Sequence, residues 1–413
     1  MFRALQSYLS NRWTRKDQNY LYIDSTVIDH SEEKKLKSKV TAVDIFCGCG
    51  GLSQGFTKAG FDVLLGVDCD PWAIETYNRH HKNRGVMKDI TDVDAKFIYS
   101  QTGQEKIDIL IGGPPCQAFS SVGIAKWRSL GRPGTLDHPL NNLYREFLRL
   151  VKEIKPSFFL IENVERMLSI SEGTVKKAIE SELNETYCVN FYRKDAADFG
   201  VPQHRKRAII IGNKLGIRNP ELDPTHGESP ADRKRHISLK DAISDLPSIR
   251  VGGGMPFMKY TKNHEISGYA KKRRAKSPGI FNHISRDHNS RDIKIFNMLK
   301  PGQTSKDLPT GIIPYRNDIF TDKYKKQKWD SPSTTIMAHL SKDGLMYIHP
   351  DRTQSRTLTP REAARLQSFD DSFVFEGYQT HQFRQIGNAV PPLFAHFIAK
   401  KIKRSIQSAG CLR

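Results

Sequence analysis

Cysteine is scarce in this chain, with six in 413 residues, and a chain of that length with so few has no disulfide framework. Three of the six, Cys47, Cys49 and Cys69, crowd together. One Cys-x-Cys plus a distant cysteine lacks the paired spacing of a structural zinc site, and no His-x-x-x-His set stands beside it. No metal site is expected, and small buried thiols are the simpler reading. Long hydrophobic runs are missing too: nothing approaches the roughly 20 apolar residues that a bilayer crossing needs. The first residues include Arg3, Arg12, Arg15 and Lys16 but no continuous apolar core, so a secretory signal is not expected and the protein should stay inside the cell. Acidic residues are in deficit. Sixty-five Lys plus Arg stand against 45 Asp plus Glu, a net charge of +20, far more than solubility requires. A polyanion is the natural partner, although a generically basic surface accounts for the same number.

What is present has an order. Residues 1–39 carry scattered aromatics and end in a charged run over 31–39, which reads as an N-terminal extension. From Val40 the texture changes. Short apolar runs at 40–46, 61–67, 107–111, 158–161 and 208–211 alternate with helical patterns, which predicts an α/β fold with a parallel sheet covered by helices. Leu52, Phe56 and Ala59 make one helical stripe, Pro71 suits the first turn of a helix running to about His80, and Leu143, Phe147, Leu150 and Ile154 make another. Beyond Gly212 the pattern fails for over a hundred residues, giving way to Gly252-Gly253-Gly254, several prolines and the basic run 271–274, so a separate module starts there. Regularity returns at Thr359-Pro360-Arg361-Glu362, a capping box opening a helix through Leu366. A last helix follows Pro391-Pro392, with Leu393, Phe394, Phe397, Ile398 and Ile402 on one face.

Two ends of chemistry stand out. Asp44-Ile45-Phe46-Cys47-Gly48-Cys49-Gly50-Gly51 joins the first strand to the first helix, and glycines there let a ligand approach the backbone. The dinucleotide fingerprint would need a third glycine at Ser53 and would set Asp44 badly against a pyrophosphate, so a zwitterionic cofactor suits the loop better than a nicotinamide. Asp68 ends the second strand where a carboxylate can accept from ribose hydroxyls, and Asp89-Ile90 can flank an adenine; a tight glycine turn with ordinary strand-end aspartates is the plainer alternative. At the other end, Ile109-Leu110-Ile111-Gly112-Gly113-Pro114-Pro115-Cys116-Gln117 delivers a cysteine from an apolar strand between rigid residues. It is either a positioned nucleophile or an inert loop thiol. The next apolar run ends Glu162-Asn163-Val164 and brings a carboxyl to the same edge, after apolar residues that favour its acid form. A third edge carries Gln203-His204-Arg205-Lys206-Arg207. Strand alternation places Gln203, Arg205 and Arg207 on one face, either a solvated basic strand or part of a site.

These segments together resemble the cytosine-5 DNA methyltransferase family of the bacterial modification type. The resemblance rests on the 46–51 loop, Pro114-Pro115-Cys116-Gln117, Glu162-Asn163-Val164, the 203–207 segment, the 359–367 segment and Gly387-Asn388-Ala389-Val390-Pro391-Pro392, in the family's order, over about 40–212 and 356–402. It implies a Rossmann-like S-adenosylmethionine-dependent methyltransferase sheet in residues 40–225, a target-recognition domain inserted over 226–344, and a C-terminal return to the catalytic domain over 345–413. It implies that Cys116 attacks carbon-6 of a flipped cytosine, that Glu162 protonates the ring, and that Arg205 and Arg207 hold the base oxygen or an adjacent phosphate. Gln117, Ser120, Asn163 and Gln203 would contact the substrate. Asp44, Phe46, Gly48, Gly50, Asp68, Cys69, Asp89, Ile90, Gly113, Pro115, Leu143, Asn388 and Val390 would hold S-adenosyl-L-methionine. The family usually has Glu where this chain has Asp68, and often a bulkier side chain where it has Cys69, a contact that Trp72 is placed to supply. The expected partner is double-stranded DNA, with a cognate restriction endonuclease as a functional and not a physical companion, for a monomer in a bacterial cytoplasm. An RNA cytosine-5 methyltransferase and a catalytically inactive DNA-binding relative are the alternative readings; the inserted lobe favours duplex DNA.

Overall fold

A computed structural model describes residues 39–115, 143–228, 233–261, 265–309, 311–313 and 323–410. Seven strands form the central sheet: β1 (Thr41–Ile45), β2 (Asp62–Asp68), β3 (Gly85–Met87), β4 (Ile109–Gly112), β5 (Phe158–Val164), β6 (Cys188–Asp195) and β7 (Lys206–Asn213). They lie in the order β3-β2-β1-β4-β5-β7-β6. The first five run parallel, and β7 lies antiparallel between β5 and β6.

The apolar runs seen in sequence are strands because both faces of this sheet are covered. The period of two sorts their side chains. Val43, Ile45, Leu110, Phe159 and Ile161 enter one core, against Ile98 of α3 (Ala95–Thr102), α4 (Leu143–Ile154) and α5 (Thr174–Leu183). Ala42, Ile109, Ile111, Phe158, Leu160, Ile209 and Ile211 enter the opposite core, against α1 (Gly51–Lys58) and the last helix, α11 (Pro392–Ser408). Helix α2 (Pro71–His80) starts as Pro71 predicts, with Asp70 as N-cap accepting from Trp72 and Ala73.

The expected all-parallel sheet is corrected in one respect: the sheet is mixed. Strands β6 and β7 are joined by one 3-10 turn over Ala196–Phe199 and a short loop, too little chain for a parallel crossover, so they must pair antiparallel. Sequence patterning also passed over β6. It is an edge strand with no fully buried residue, so it lacks the apolar run that marks its neighbours.

Beyond β7 the chain forms β8 (His226–Gly227), β9 (Lys234–Arg235), α6 (Leu239–Ile243), β10 (Gly254–Met258), α7 (Gly268–Arg274), β11 (Ile280–Ile284) and α8 (Ser290–Met298). It returns through α9 (Pro360–Leu366) and α10 (Gln379–Asn388) to α11. Leu239, Ile243, Tyr269 and Ile280 share one apolar cluster with Leu358, Ala363, Phe373, Phe383 and Ile386. The segment after β7 and the C-terminal segment therefore build a core jointly.

At the centre of that core lies α9, in which every residue is buried. Its capping box forms as the sequence predicts, Thr359 and Glu362 bonding reciprocally. Its arginines are not on the surface. Arg365 spends all five donors: on Asp371 at 2.5 and 2.6 Å, on Asp245 at 3.0 and 3.3 Å, and on the Ala242 carbonyl at 2.8 Å. Arg356 makes a bidentate pair with Glu362, both contacts at 2.7 Å. Burial opposes the charge on Glu362, yet Arg356 and His349 hold its carboxyl well below the usual range. Breaking such a pair strands a buried charge, which costs more than the intact pair contributes. Arg365→Met is expected to destabilise the protein by about 3–5 kcal/mol, read as a lowered urea midpoint, and adding Asp371→Asn to it should recover part of the loss.

Candidate active site

Strands β1, β2, β4 and β5 end at one edge of the sheet, and antiparallel β7 begins there. Ile45 is paired with Gly112, Gly112 with Ile161, and Val164 with Arg207. Loops that follow these strands are thus brought side by side, which is where α/β sheets place ligands.

At the β1 end the backbone turns through left-handed Phe46 (φ 61°), Gly48 (φ 53°) and Gly50 (φ 93°). The glycines divide by function. A Cβ at Gly48 would meet nothing within 4 Å, whereas one at Gly50 would sit 2.3 Å from His81 Nε2 and one at Gly51 2.2 Å from the Val390 carbonyl oxygen. Gly48 alone borders open space; Gly50 and Gly51 are there to admit the protein's own α2 and C-terminal segments. Asp68 closes the loop, its Oδ2 accepting from Gly48 N at 2.8 Å and its Oδ1 from Asp70 N at 2.9 Å. Beneath it Asp44 is fully buried and accepts from Ser53 N and Oγ through Oδ2 alone. Its Oδ1 has no partner among the described residues. Burial pushes the Asp44 pKa up to about 7, against the pull of the Ser53 bonds, and raises that of Asp68 as well. A buried and a half-buried carboxyl beside an open glycine make a site that favours a cationic, hydroxyl-bearing ligand.

Around this end, Ile90 is buried and Asp89 caps the 3-10 turn Ile90–Asp92, accepting from Thr91. Cys69 is exposed; Gly113, Pro115 and Leu143 are half-buried. Trp72 stacks on His381, centroids 5.2 Å apart, with Tyr378 edge-on at 6.1 Å. Asn388 is exposed at the end of α10, and Val390 is buried in the core that α1 and α11 share.

At the β5 end Glu162, 7% exposed, stands with Oε1 3.0 Å from Arg207 Nε. Its Oε2 is the atom nearest a Cβ built on Gly113, at 3.6 Å, so the carboxyl lies against the segment leading out of β4. Asn163 ties the same segment down, its amide donating to the Pro114 carbonyl at 3.1 Å. Cys116, Gln117 and Ser120 lie outside the described residues.

The 203–207 segment departs from the sequence reading. Strand β7 starts only at Lys206, so Gln203, Arg205 and Arg207 do not share a pleated face; left-handed Gly200 and Pro202 keep the lead-in irregular. Gln203 is fully buried and satisfied by protein: its amide nitrogen donates to Leu366 O and Gln367 Oε1, both at 2.8 Å, and its oxygen accepts from Ile336 N at 2.9 Å. Arg205, 2% exposed, donates to Ile336 O at 2.9 Å and Gly387 O at 3.2 Å. Burial, with Arg207 close by, lowers its pKa to about 9. Only Arg207 of the three reaches Glu162. Sequence reasoning missed the stretch 333–338 that Gln203 and Arg205 grip, because it has no regular pattern and lies some 130 residues downstream of them. It also missed Ser53 and Tyr77, which sit behind Asp44, hydroxyl to hydroxyl at 2.9 Å. Among the described residues no cluster of three metal-ligating side chains occurs and no helix is long and apolar enough to cross a membrane.

This mixed sheet, with one antiparallel strand inserted next to the edge, is consistent with the Rossmann-like fold of methyltransferases. The profile of the family described as C-5 cytosine-specific DNA methylase matches residues 40–404. The chain is 33% identical to the type II methyltransferase M1.HphI of Haemophilus parahaemolyticus over 88% of its length and 86% of that protein. It is 34% identical to the type II methyltransferase M.DdeI of Desulfomicrobium norvegicum over 87% of its length and 88% of that protein. A crystallised E. coli prophage protein, described as a "putative DNA modification methyltransferase", superposes with a TM-score of 0.70 at 26% identity, covering 89% of this chain and all of that one. The chain belongs to the C-5 cytosine-specific DNA methylase family, and its enzymology is that of a methyltransferase acting on DNA with a methyl donor.

Asp44 gives a pH signature. Its folded pKa of about 7 lies above its unfolded value, so ionising it costs the folded state nothing below pH 4, progressively more between pH 4 and 7, and the full amount above. Asp44→Asn is expected to gain stability over the wild type as pH rises through that window, read as the difference between their unfolding midpoints. A difference that stays flat from pH 4 to 8 would contradict the assignment.

Proposed function

We propose that this chain transfers a methyl group from S-adenosyl-L-methionine to carbon-5 of a cytosine flipped out of a specific duplex DNA sequence. The observation that carries the reading is the Glu162–Arg207 pair, set against the Gly113–Pro115 segment that runs directly into Cys116. The cytosine must leave the stack to reach that edge, at a cost of a few kcal/mol offset by contacts in the pocket and along the backbone.

Carbon-5 is a poor nucleophile. The Cys116 thiolate adds to carbon-6, and Glu162 gives a proton to N3 as charge builds on the ring, leaving an enamine whose carbon-5 is nucleophilic. Arg207 steadies the Glu162 carboxyl and faces the base oxygen or a neighbouring phosphate. When bound, the donor supplies an electrophilic methyl on a sulfonium. A base then takes the carbon-5 proton, the carbon-6 to sulfur bond breaks, Cys116 departs as thiolate, and the N3 proton returns to Glu162. Asn163 acts by holding Pro114 and so the approach of Cys116; Gln203 and Arg205 act by holding residue 336 against the edge.

For the donor, the open backbone at Gly48, the half-exposed Asp68 and the unsatisfied Asp44 Oδ1 fit a ligand that carries an ammonium, a sulfonium and ribose hydroxyls. Phe46, Cys69, Asp89, Ile90, Gly113, Pro115, Leu143 and Asn388 border the same edge. Residues 226–344 supply base readout, and the enzyme works as a monomer in a bacterial cytoplasm beside a cognate restriction endonuclease. The relatives M1.HphI and M.DdeI are type II methyltransferases, the type this reading assigns to the chain.

Cys116→Ala should abolish methylation while leaving binding of the methyl donor within about twofold by calorimetry; substantial turnover by that variant removes Cys116 from the chemistry. Duplex DNA with 5-fluorocytosine at the target should become covalently attached to the wild type in the presence of the donor, because no proton can then leave carbon-5. Transfer RNA offered in parallel should accept no methyl. Exchanging residues 226–344 for those of a relative should move the methylated site in bisulfite sequencing.

A further inference from the structure

Beyond the reactive edge lies a concave surface lined by Phe199 and Tyr269 as apolar floor and by His226, His236, Lys234 and Lys272. Lys234 comes from β9 and Lys272 from α7. Both are exposed, and neither has an ion-pair partner among the described residues. The acids nearby are already engaged: Asp241 by Arg235 at 3.1 Å and by the Ser238 cap, Asp198 by His236 at 3.0 Å. Burial lowers the His226 pKa, Lys234 and His236 lower it further, Asp198 pulls the other way, and Lys272 adds to the lowering, so both ammonium groups act on one imidazole. Asp241 and Asp198 are thus paired, and cations from separate elements converge on the cleft, an arrangement that an entering anion would relieve.

The cleft also adjoins the reactive edge. The His236 ring meets that of His204 edge-on at 5.8 Å, and His204 immediately precedes Arg205. His204 is itself paired with Asp195 at 3.0 Å, so the cleft lies next to the lead-in of β7 with its unpaired cations on the Lys234 and Lys272 side.

We propose that this cleft binds the phosphodiester backbone of the DNA substrate to one side of the target cytosine, Lys234 and Lys272 each neutralising a phosphate. The inference rests on duplex DNA being the substrate. An ammonium on a flexible stem is a point charge suited to phosphate and not to base edges, so these lysines set affinity and leave the recognised sequence to other residues.

The test uses full-length Lys234→Gln, Lys272→Gln and the double variant, with duplex binding measured by anisotropy over a potassium chloride series. The slope of log affinity against log salt should fall by about 0.9 for each lysine removed, with kcat at saturating DNA and the methylated sequence unchanged. An unchanged slope in an active double variant overturns the cleft and leaves the methyltransferase reading standing. A wild type that binds duplex with the lysine-dependent slope but transfers no methyl overturns that reading and leaves the cleft standing. If inorganic pyrophosphate shields Lys234 and Lys272 from acetylation and duplex DNA does not, the ligand is a free phosphate and the proposal falls.

Discussion

Arg365 is the residue on which the second half of the chain closes. A guanidinium taken out of water loses more than one carboxylate returns, and the protein meets that deficit by surrounding it with Asp371, Asp245 and the Ala242 carbonyl. Those partners come from a segment well over a hundred residues upstream and from the loop just after α9. No one of the segments is at low energy without the others, since each would present an unpaired buried charge. Arg361 repeats the device with carbonyls, donating to Phe281, Asp370 and Phe373. The stretch after β7 and the C-terminal return are thereby made one folding unit, and α11 leaves that unit already aimed at α1, where Gly55 lets Ala395 approach.

A second brace joins this unit to the sheet edge where β5 ends and β7 begins. Gln203 and Arg205 between them take both the N–H and the C=O of Ile336 and go on to Leu366 and Gly387. Because the lead-in to β7 is pinned this way, Arg207 emerges at a fixed register opposite Val164, next to Glu162. Each carboxylate at the edge then has its own environment. Asp44 is buried with only hydroxyl and amide donors, and its burial dominates; Glu162 is buried with a guanidinium at 3.0 Å. The same sheet edge so provides one acidic group short of a cation and another that already has one.

How far this was legible in the sequence follows from the range of each interaction. The five apolar runs were readable because two covered faces demand continuous hydrophobicity, and the helices at 71–80, 143–154, 360–366 and 392–408 because caps and stripes are local. Strand β6 was not, being an edge strand that buries too little to leave a pattern, and with it went the antiparallel turn of β7. The motifs placed Glu162 and the 203–207 segment at one edge but not their contacts. Alternation suggested that Gln203, Arg205 and Arg207 point the same way; long-range bonds to residues 336, 366 and 387 overrode it. Nor does sequence say that Arg356, Arg361 and Arg365 are buried, since that depends on acids and carbonyls supplied from elsewhere in the chain.

The net charge of +20 looks different once the pairs are placed. Arg205, Arg356, Arg361 and Arg365 are interior and committed to protein acceptors, so they are part of the scaffold and contribute little to the outer field. The charge available to a polyanion is carried by lysines and by arginines at the surface, and attraction over a Debye length of roughly 8 Å depends on where those lie. Such a field raises the encounter rate with DNA without choosing a sequence. Discrimination requires groups that meet base edges at fixed positions, and the buried arginine network fixes the positions of its own partners in the segment that follows β7.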